Sequence, residues 1–155
     1  MNFAEVISSV KDFVKLAGLT LDQIAVTGGS GLLMYGLREN CGDIDMAISR
    51  EAMDKILKLE GALQIPNPGK EGVRWCKYQC FDIMDNMEPG LYPARLGVPV
   101  VGIVDLYVLK MELVEKLGRK KDHDDVATIW NFFGKTHSGR ERMRTALANA
   151  RAAQI

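Results

Sequence analysis

Two short segments near the start of the chain carry residues that could do phosphate chemistry. Gly28, Gly29 and Ser30 follow an apolar run, and Asp43 and Asp45 follow shortly after, on either side of an isoleucine. Glycine-rich turns present backbone N–H groups to phosphate, and a few carboxylates bind Mg²⁺ together with substrate phosphates. Either motif alone is often only a turn or a solvated edge strand. Together they predict a metal-assisted phosphate site.

Only one known kind of phosphate-binding turn fits the glycine segment. A P-loop requires a lysine and a serine or threonine after its glycines, and GGSGLLMYG lacks that pair. A dinucleotide fingerprint would use Gly29 and Gly31, but Met34 stands where its third glycine should be. The remaining interpretation is a turn whose N–H groups, with the Ser30 hydroxyl and the next helix start, bind a triphosphate.

Hydrophobic periodicity predicts the elements that would position these residues. QIAVTGG predicts a buried strand that ends in a tight turn, and SGLLMYGL predicts a short helix with Ser30 as its N-cap. DIDMAIS predicts a strand with Asp43, Asp45 and Ala47 on one face, where residues two apart are separated by about 7 Å. Ser49 is predicted to cap the helix REAMDKILKLE. Turn and carboxylates are therefore expected at one sheet edge.

The flanking segments predict further helices, a hairpin and loops. NFAEVISSVKDFVKLAG predicts a helix that ends at Gly18, and VRWCKYQCFDIMD predicts one strand or a tight hairpin. IPNPGKEG and NMEPGLYPARLGVP are rich in proline and glycine and predict loops. In the last third we expect three helices, with Asp105 and Ser138 as N-caps and Gly118 as a stop. The fold class is therefore α/β (α+β), a small mixed β-sheet flanked by helices.

Composition is that of a globular chain with no strong charge preference. Hydrophobic residues make up 47% and charged residues 26%, and 20 basic side chains balance 20 acidic ones. We expect a single domain over residues 1–155, with a core at about 20–133 and a basic helix at 138–155. Without a long apolar run or secretory signal, no membrane partner is expected. Three cysteines without a Cys-x-x-Cys pair predict reduced thiols in a cytoplasmic protein.

The segment VTGGSGLLMYGLRENCGDIDMAIS resembles the signature of the DNA polymerase beta-like nucleotidyltransferase superfamily. The shared features are an apolar strand, Gly-Gly-Ser, a short helix and Asp-x-Asp on the next strand. The resemblance implies a third carboxylate on a later strand, between apolar residues. Asp82 in CFDIMD fits that pattern, and Asp85, at the end of the same strand, is the second candidate.

The segment DLYVLKMELVEKLGRKKDHDDVATI is similar to the corresponding part of Abi-type nucleotidyltransferase toxins. Lys110, Arg119, Lys121, Asp122 and Asp125 stand at the matching positions. The resemblance implies that Lys110 binds the triphosphate, although a solvated helix lysine is the alternative. Asp122 would hold Lys110 or Lys121 in place, or cap a helix. Most of the large helical domain that relatives use for substrate binding is absent, so the resemblance does not identify the acceptor.

The resemblance implies a metal-dependent nucleotidyltransferase, which moves an NMP from an NTP to a hydroxyl and releases pyrophosphate. Its catalytic and metal-binding residues would be Asp43, Asp45 and Asp82, holding Mg²⁺ or Mn²⁺. Its nucleotide-binding residues would be Gly28, Gly29, Ser30, Lys110 and Asp122. ATP is weakly favoured as donor, the acceptor would be a tRNA, a small molecule or a protein, and a protein partner is expected in a toxin–antitoxin setting. The alternative is a non-catalytic nucleotide- or RNA-binding relative in such a pair or in phage defence.

Several other residues have an ordinary structural interpretation beside a functional one. His123 and His137 are too few for a His-Asp phosphohydrolase. Trp75 and Tyr78 would stack on a base or belong to the core. The remaining group comprises basic residues that would contact phosphate or lie solvated at the surface: Arg38, Arg140, Arg142, Arg144 and Arg151.

Overall fold

The computed structural model describes residues 1–67, 71–95 and 97–154, with the backbone alone for Arg95. Parts of both predicted loops (residues 68–70 and 96) and the last residue of the predicted basic helix therefore lie outside the described residues. The chain forms two compact units, Met1–Val101 and Gly102–Ile155. The expectation of a single domain stays a prediction.

The first unit contains a five-stranded sheet, which confirms the prediction of a small mixed sheet. Its helices are α1 (Phe3–Leu16), α2 (Gly28–Met34) and α3 (Arg50–Ile56), with a 3-10 turn at Leu21–Gln23. The strands are β1 (Ile24–Thr27), β2 (Ile44–Ile48), β3 (Leu63–Ile65), β4 (Trp75–Tyr78), β5 (Phe81–Met84), β6 (Ala94–Arg95) and β7 (Val98–Pro99). The main sheet has the order β1-β2-β5-β4-β3, and β6 and β7 form a separate pair. Within the main sheet, β2 and β5 run parallel and the other neighbours run antiparallel.

Alternation along β2 separates a buried face of the sheet from the face that carries its acidic residues. Ile44, Met46 and Ile48 are at most 1% exposed and belong to the hydrophobic core. Phe13 of α1 packs on this face and stacks on Phe81, with ring centroids 4.4 Å apart. Burying each such side chain contributes about 1.5–3 kcal/mol. The apolar residues therefore fix which way the alternate residues, including Asp45, must face.

Two predicted helix caps in the first unit have different outcomes. The Ser49 side chain accepts a hydrogen bond from Ala52 N at 3.2 Å, which confirms it as the cap of α3. Ser30 as the cap of α2 is wrong, because α2 begins at Gly28 with Thr27 as its N-cap residue. The Ser30 hydroxyl instead bonds to the neighbouring strand, as described below.

The second unit consists of three helices, as predicted. They are α4 (Ile103–Leu117), α5 (Lys120–Phe133) and α6 (His137–Ala152). Gly118 ends α4 in the left-handed conformation with φ 61°, which confirms the predicted stop. Asp105 and Ser138 as N-caps are wrong, because both helices begin earlier. Gly102 precedes α4, and Thr136 caps α6 by accepting from Gly139 N at 3.0 Å.

The hairpin interpretation of VRWCKYQCFDIMD is confirmed, with β4 and β5 joined by the two-residue turn Gln79–Cys80. Three short strands that were not predicted lie in or beside the two predicted loops. β3 begins just before IPNPGKEG, and β6 and β7 lie in the second proline-rich segment. Their brevity explains why no alternation is visible. Among the described residues, no helix has the length and apolar character needed to cross a membrane.

Candidate active site

The close approach of Gly28 to Asp45 defines the centre of the candidate site. Gly28 joins β1 to α2 with φ 58°, a conformation that glycine adopts at low cost. A Cβ at this position would overlap Oδ2 of Asp45 and lie 2.9 Å from its Cγ. The glycine turn and the first strand carboxylate are therefore in contact, as the sequence pattern predicts.

Ser30 fastens the start of α2 to β2. Its fully buried hydroxyl donates to Thr27 O at 2.8 Å and accepts from Asp45 N at 3.0 Å. A hydroxyl has one proton to donate, so the proton of Ser30 is used within the protein. In this structure Ser30 positions Asp45. A direct contact between its side chain and a nucleotide stays a prediction.

Asp45 and Asp82 are direct neighbours across the parallel pair of strands. The register of β2 and β5 places Asp45 opposite Asp82, and adjacent strands lie about 4.8 Å apart. Partners in register point to the same side of a sheet. Two carboxylates from segments far apart in the chain therefore meet on one face.

Asp82 is held from the next strand by two donors. Trp75 Nε1 donates to Asp82 Oδ1 at 3.3 Å, and Lys77 Nζ lies 3.3 Å from the same oxygen. Within the described part of the chain both contacts go to Oδ1, and the side chain is 23% exposed. Lys77 is a residue of the candidate site that is not among the residues predicted from the sequence. The predicted tight hairpin could have identified it, because a two-residue turn at Gln79–Cys80 places Lys77 opposite Asp82.

Asp85, the second candidate for the third carboxylate, has a structural role. It is 3% exposed and accepts from Arg74 N and Arg74 Nε, both at 2.6 Å. Arg74 also pairs with Asp54 at 2.7 Å. The Asp85 carboxylate is thus occupied by an arginine, whereas Asp82 lies beside Asp45.

Asp43 lies one residue outside β2, so its placement on the strand is wrong by one position. It occupies a bend and is exposed. The N–H of the next residue, Ile44, donates to Cys80 O at 2.8 Å, which places Asp43 near the β4–β5 turn. Burial raises the pKa of the Cys80 thiol, and the Asp43 carboxylate adds to the rise. In the part of the chain that is described, no three His, Cys, Asp or Glu residues form a group able to hold a metal ion. The three predicted carboxylates therefore do not form a preassembled cage there.

Arg38 lies against the glycine turn. A Cβ at Gly29 would meet Arg38 Nη1 at 2.6 Å, so the guanidinium occupies the space that the missing side chain leaves. The interpretation of Arg38 as an exposed surface arginine is wrong, because its side chain is partly buried beside Gly29, and its contact with a phosphate stays a prediction.

In the second unit, Lys110 and Asp122 belong to a buried charge network. Lys110 Nζ lies 2.8 Å from Asp125 Oδ2 and 3.5 Å from Asp122 Oδ1, and Arg119 Nε lies 2.7 Å from Asp122 Oδ2. Lys110 is 7% exposed and Asp122 is fully buried. Burial opposes ionisation of Asp122, but the Arg119 hydrogen bond and the Lys110 charge outweigh it and lower the pKa of Asp122. Asp122 therefore contacts Lys110, although Asp125 is the nearer partner of that lysine. The alternative that Asp122 caps a helix is wrong, because α5 begins earlier, with Arg119 as its N-cap residue. Nucleotide binding by Lys110 and Asp122 stays a prediction.

The basic residues of α6 all make contacts within the second unit. Arg140 donates to Gly134 O at 2.8 Å, and Arg144 pairs with Glu141 at 2.9 Å. Arg151 pairs with Glu115, and Arg142 lies over the Phe133 ring at 5.2 Å. These contacts favour the interpretation as a helix surface over an RNA-binding stripe.

No known family model matches the chain. No curated protein matches it significantly either. The resemblance to nucleotidyltransferases, and the roles that it implies, therefore stay predictions that the geometry above must support.

Replacing Gly28 by alanine tests whether the turn must approach Asp45 closely. We expect a loss of about 1–3 kcal/mol in the free energy of unfolding, because the new Cβ adds a clash with Asp45 to an unfavourable φ. Gly36→Ala is the matched control, since Gly36 also has a positive φ (75°) but a Cβ there meets nothing within 4 Å. Urea unfolding measures both. Equal losses in the two variants would contradict a tight Gly28–Asp45 contact.

Proposed function

We propose that this protein is a metal-dependent nucleotidyltransferase, which transfers an NMP from an NTP to a hydroxyl acceptor and releases pyrophosphate. The observation that carries the proposal is the placement of Asp45 in register with Asp82 and in contact with the Gly28 turn. A phosphate-binding turn beside paired carboxylates on one sheet face suits phosphoryl chemistry better than either feature alone.

The carboxylates fit a magnesium site that is completed by the substrate. Mg²⁺ is usually held in such enzymes by one or two carboxylates plus substrate phosphates, not by a cage of protein ligands alone. Asp45 and Asp82 would be its main ligands, with the exposed Asp43 joining from the bend just before β2. Bound there, Mg²⁺ or Mn²⁺ would stabilise the charge that develops on the phosphates.

The remaining residues have distinct tasks in the proposed reaction. The backbone of Gly28 and Gly29 would line the phosphates, and the Arg38 guanidinium beside Gly29 would add positive charge. Ser30 would keep Asp45 in place through its bond to Asp45 N. Asp82 would take the proton of the attacking hydroxyl, since a carboxylate is a competent base within hydrogen-bond reach.

The proposal includes a cytoplasmic location and an NTP donor, with ATP weakly favoured. Cys41, Cys76 and Cys80 are free thiols, which suits a reducing compartment. Nucleotide binding by Lys110 and Asp122 stays an expectation that the resemblance implies, and a protein partner of the antitoxin kind is compatible with catalysis.

The direct test is release of pyrophosphate from each labelled NTP, with and without Mg²⁺, in the presence of cell extract as the source of acceptor. We expect magnesium-dependent release that falls about 10- to 100-fold in Asp43→Ala. Asp12→Ala, which removes an exposed carboxylate from α1, is the control and should keep the wild-type rate. Nucleotide binding by calorimetry without any release would favour the non-catalytic alternative. An unchanged rate in Asp43→Ala would refute the role of Asp43.

A further inference from the structure

Beside the candidate site, the same sheet face continues onto β4 and β3. Lys77 is opposite Asp82, and the cross-strand partners Leu63 and Ile65 lie beside Lys77 and Trp75. Partners in register share a face of the sheet. The face that carries Asp82 on β5 therefore carries a cation on β4 and apolar side chains on β3. Leu63 is 63% exposed and the Lys77 side chain is 49% exposed. We call Trp75, Lys77 and Leu63 the β4 platform.

Trp75 differs from the other aromatic residue of its strand. Tyr78 is 7% exposed and packs near Phe13, with ring centroids 5.7 Å apart, on the buried face. Trp75 is half-buried and donates its indole N–H to Asp82. Of the two predicted stacking residues, only Trp75 therefore lies beside the proposed catalytic carboxylate, on the face where a planar ligand would reach it.

Lys77 supplies charge of the opposite sign at the same place. Its ammonium has three donors, and one of them faces Asp82 at 3.3 Å. Its long, half-exposed side chain leaves the others directed to solvent or to an anion. A ligand with a planar ring, an anionic group and a hydroxyl would engage Trp75, Lys77 and Asp82 together.

We propose that the β4 platform binds the acceptor, and that the acceptor is the terminal nucleotide of a single-stranded nucleic acid. The base would stack on Trp75, the adjoining phosphate would pair with Lys77, and the terminal hydroxyl would point to Asp82. Aromatic stacking and a nearby cation are the usual means of holding unpaired nucleotides. The assignment as acceptor site rests on the proposed function, but binding of the strand can be measured without any NTP.

Trp75 fluorescence gives a direct test. The chain has two tryptophans, so Trp130→Phe leaves Trp75 as the only indole. Titration of this variant with a six-residue oligoadenylate, without NTP or metal, should quench its fluorescence in a saturable way. Binding of the labelled strand, followed by anisotropy, should weaken about 5- to 100-fold in Trp75→Ala.

Two lysine variants and several nucleic-acid strands test whether Lys77 binds the phosphate. Lys77→Ala should reduce the slope of log affinity against log salt by about 0.7, whereas Lys58→Ala, an exposed lysine after α3, should not. RNA and DNA strands share the base and phosphate, and binding of either supports the proposal. Absence of quenching, equal binding of the duplex form, or wild-type affinity in both Trp75→Ala and Lys77→Ala would overturn it. The titrations contain no NTP, so their outcome does not depend on catalysis. Pyrophosphate release tests the proposed function separately.

Discussion

Asp82→Asn should lower the rate of pyrophosphate release by about 100-fold or more while leaving the protein folded. Proton transfer by a positioned side chain contributes about 10² to 10⁴ to the rate, and Asp82 is the proposed base. Asparagine keeps the shape of the side chain and an oxygen for the Trp75 N–H, and the position is 23% exposed. Steady-state rates and urea midpoints, measured on the same preparation, separate the chemical effect from a folding effect.

Asp85→Asn is the matched comparison, because the same change is made three positions along the same segment. Asp85 is buried against Arg74 through two contacts of 2.6 Å, so its loss of charge should lower the unfolding midpoint. The rate per folded molecule should stay near that of the wild type. Should Asp82→Asn retain its rate and Asp85→Asn lose it, the third carboxylate has been assigned to the wrong residue.

Asp122→Ala should destabilise the protein by about 3 kcal/mol. The substitution removes a carboxylate that lies 2.7 Å from Arg119 and 3.5 Å from the buried Lys110, while Lys110 keeps Asp125 at 2.8 Å. Asp124→Ala is the control, because Asp124 lies on the same helix and its pair with Lys120 is exposed. Urea unfolding should show a large shift for Asp122→Ala and no resolvable shift for Asp124→Ala. Similar midpoints in the two variants would show that the buried network contributes little.

The pH dependence of stability gives a second readout of the same network. The pKa of Asp122 is lowered in the folded protein, with burial opposed by Arg119 and Lys110. The contribution of ionised Asp122 to the free energy of unfolding is therefore complete above the pKa of an unfolded aspartate, about 3.9. It is lost as the pH falls through the lower pKa that Asp122 has in the folded protein. The difference in unfolding free energy between wild type and Asp122→Asn should shrink in that acidic range and stay constant above it.

The elements of the candidate site could be predicted from the sequence because local residue patterns encode them. The alternation in β2 predicted which face Asp45 takes, and the glycine pattern predicted the turn at Gly28. Ser30 as a helix cap was wrong because its hydroxyl partner, Asp45 N, comes from another strand, which no local rule contains. The choice between Asp82 and Asp85 also depended on tertiary contacts, since only the folded chain brings Arg74 to Asp85. Likewise, the burial of Lys110 depends on the packing of α4 on α5.

The two-residue turn between β4 and β5 has a consequence for how this protein can change. Side chains alternate along a strand, so gain or loss of one residue in that turn would shift β5 against β4 and separate Lys77 from Asp82. If β5 kept its pairing with β2, so that Asp82 stayed beside Asp45, then β4 would have to change its register with β5. The length of this turn therefore fixes the position of Asp82 relative to Lys77 on one side while the pairing with β2 fixes it relative to Asp45 on the other.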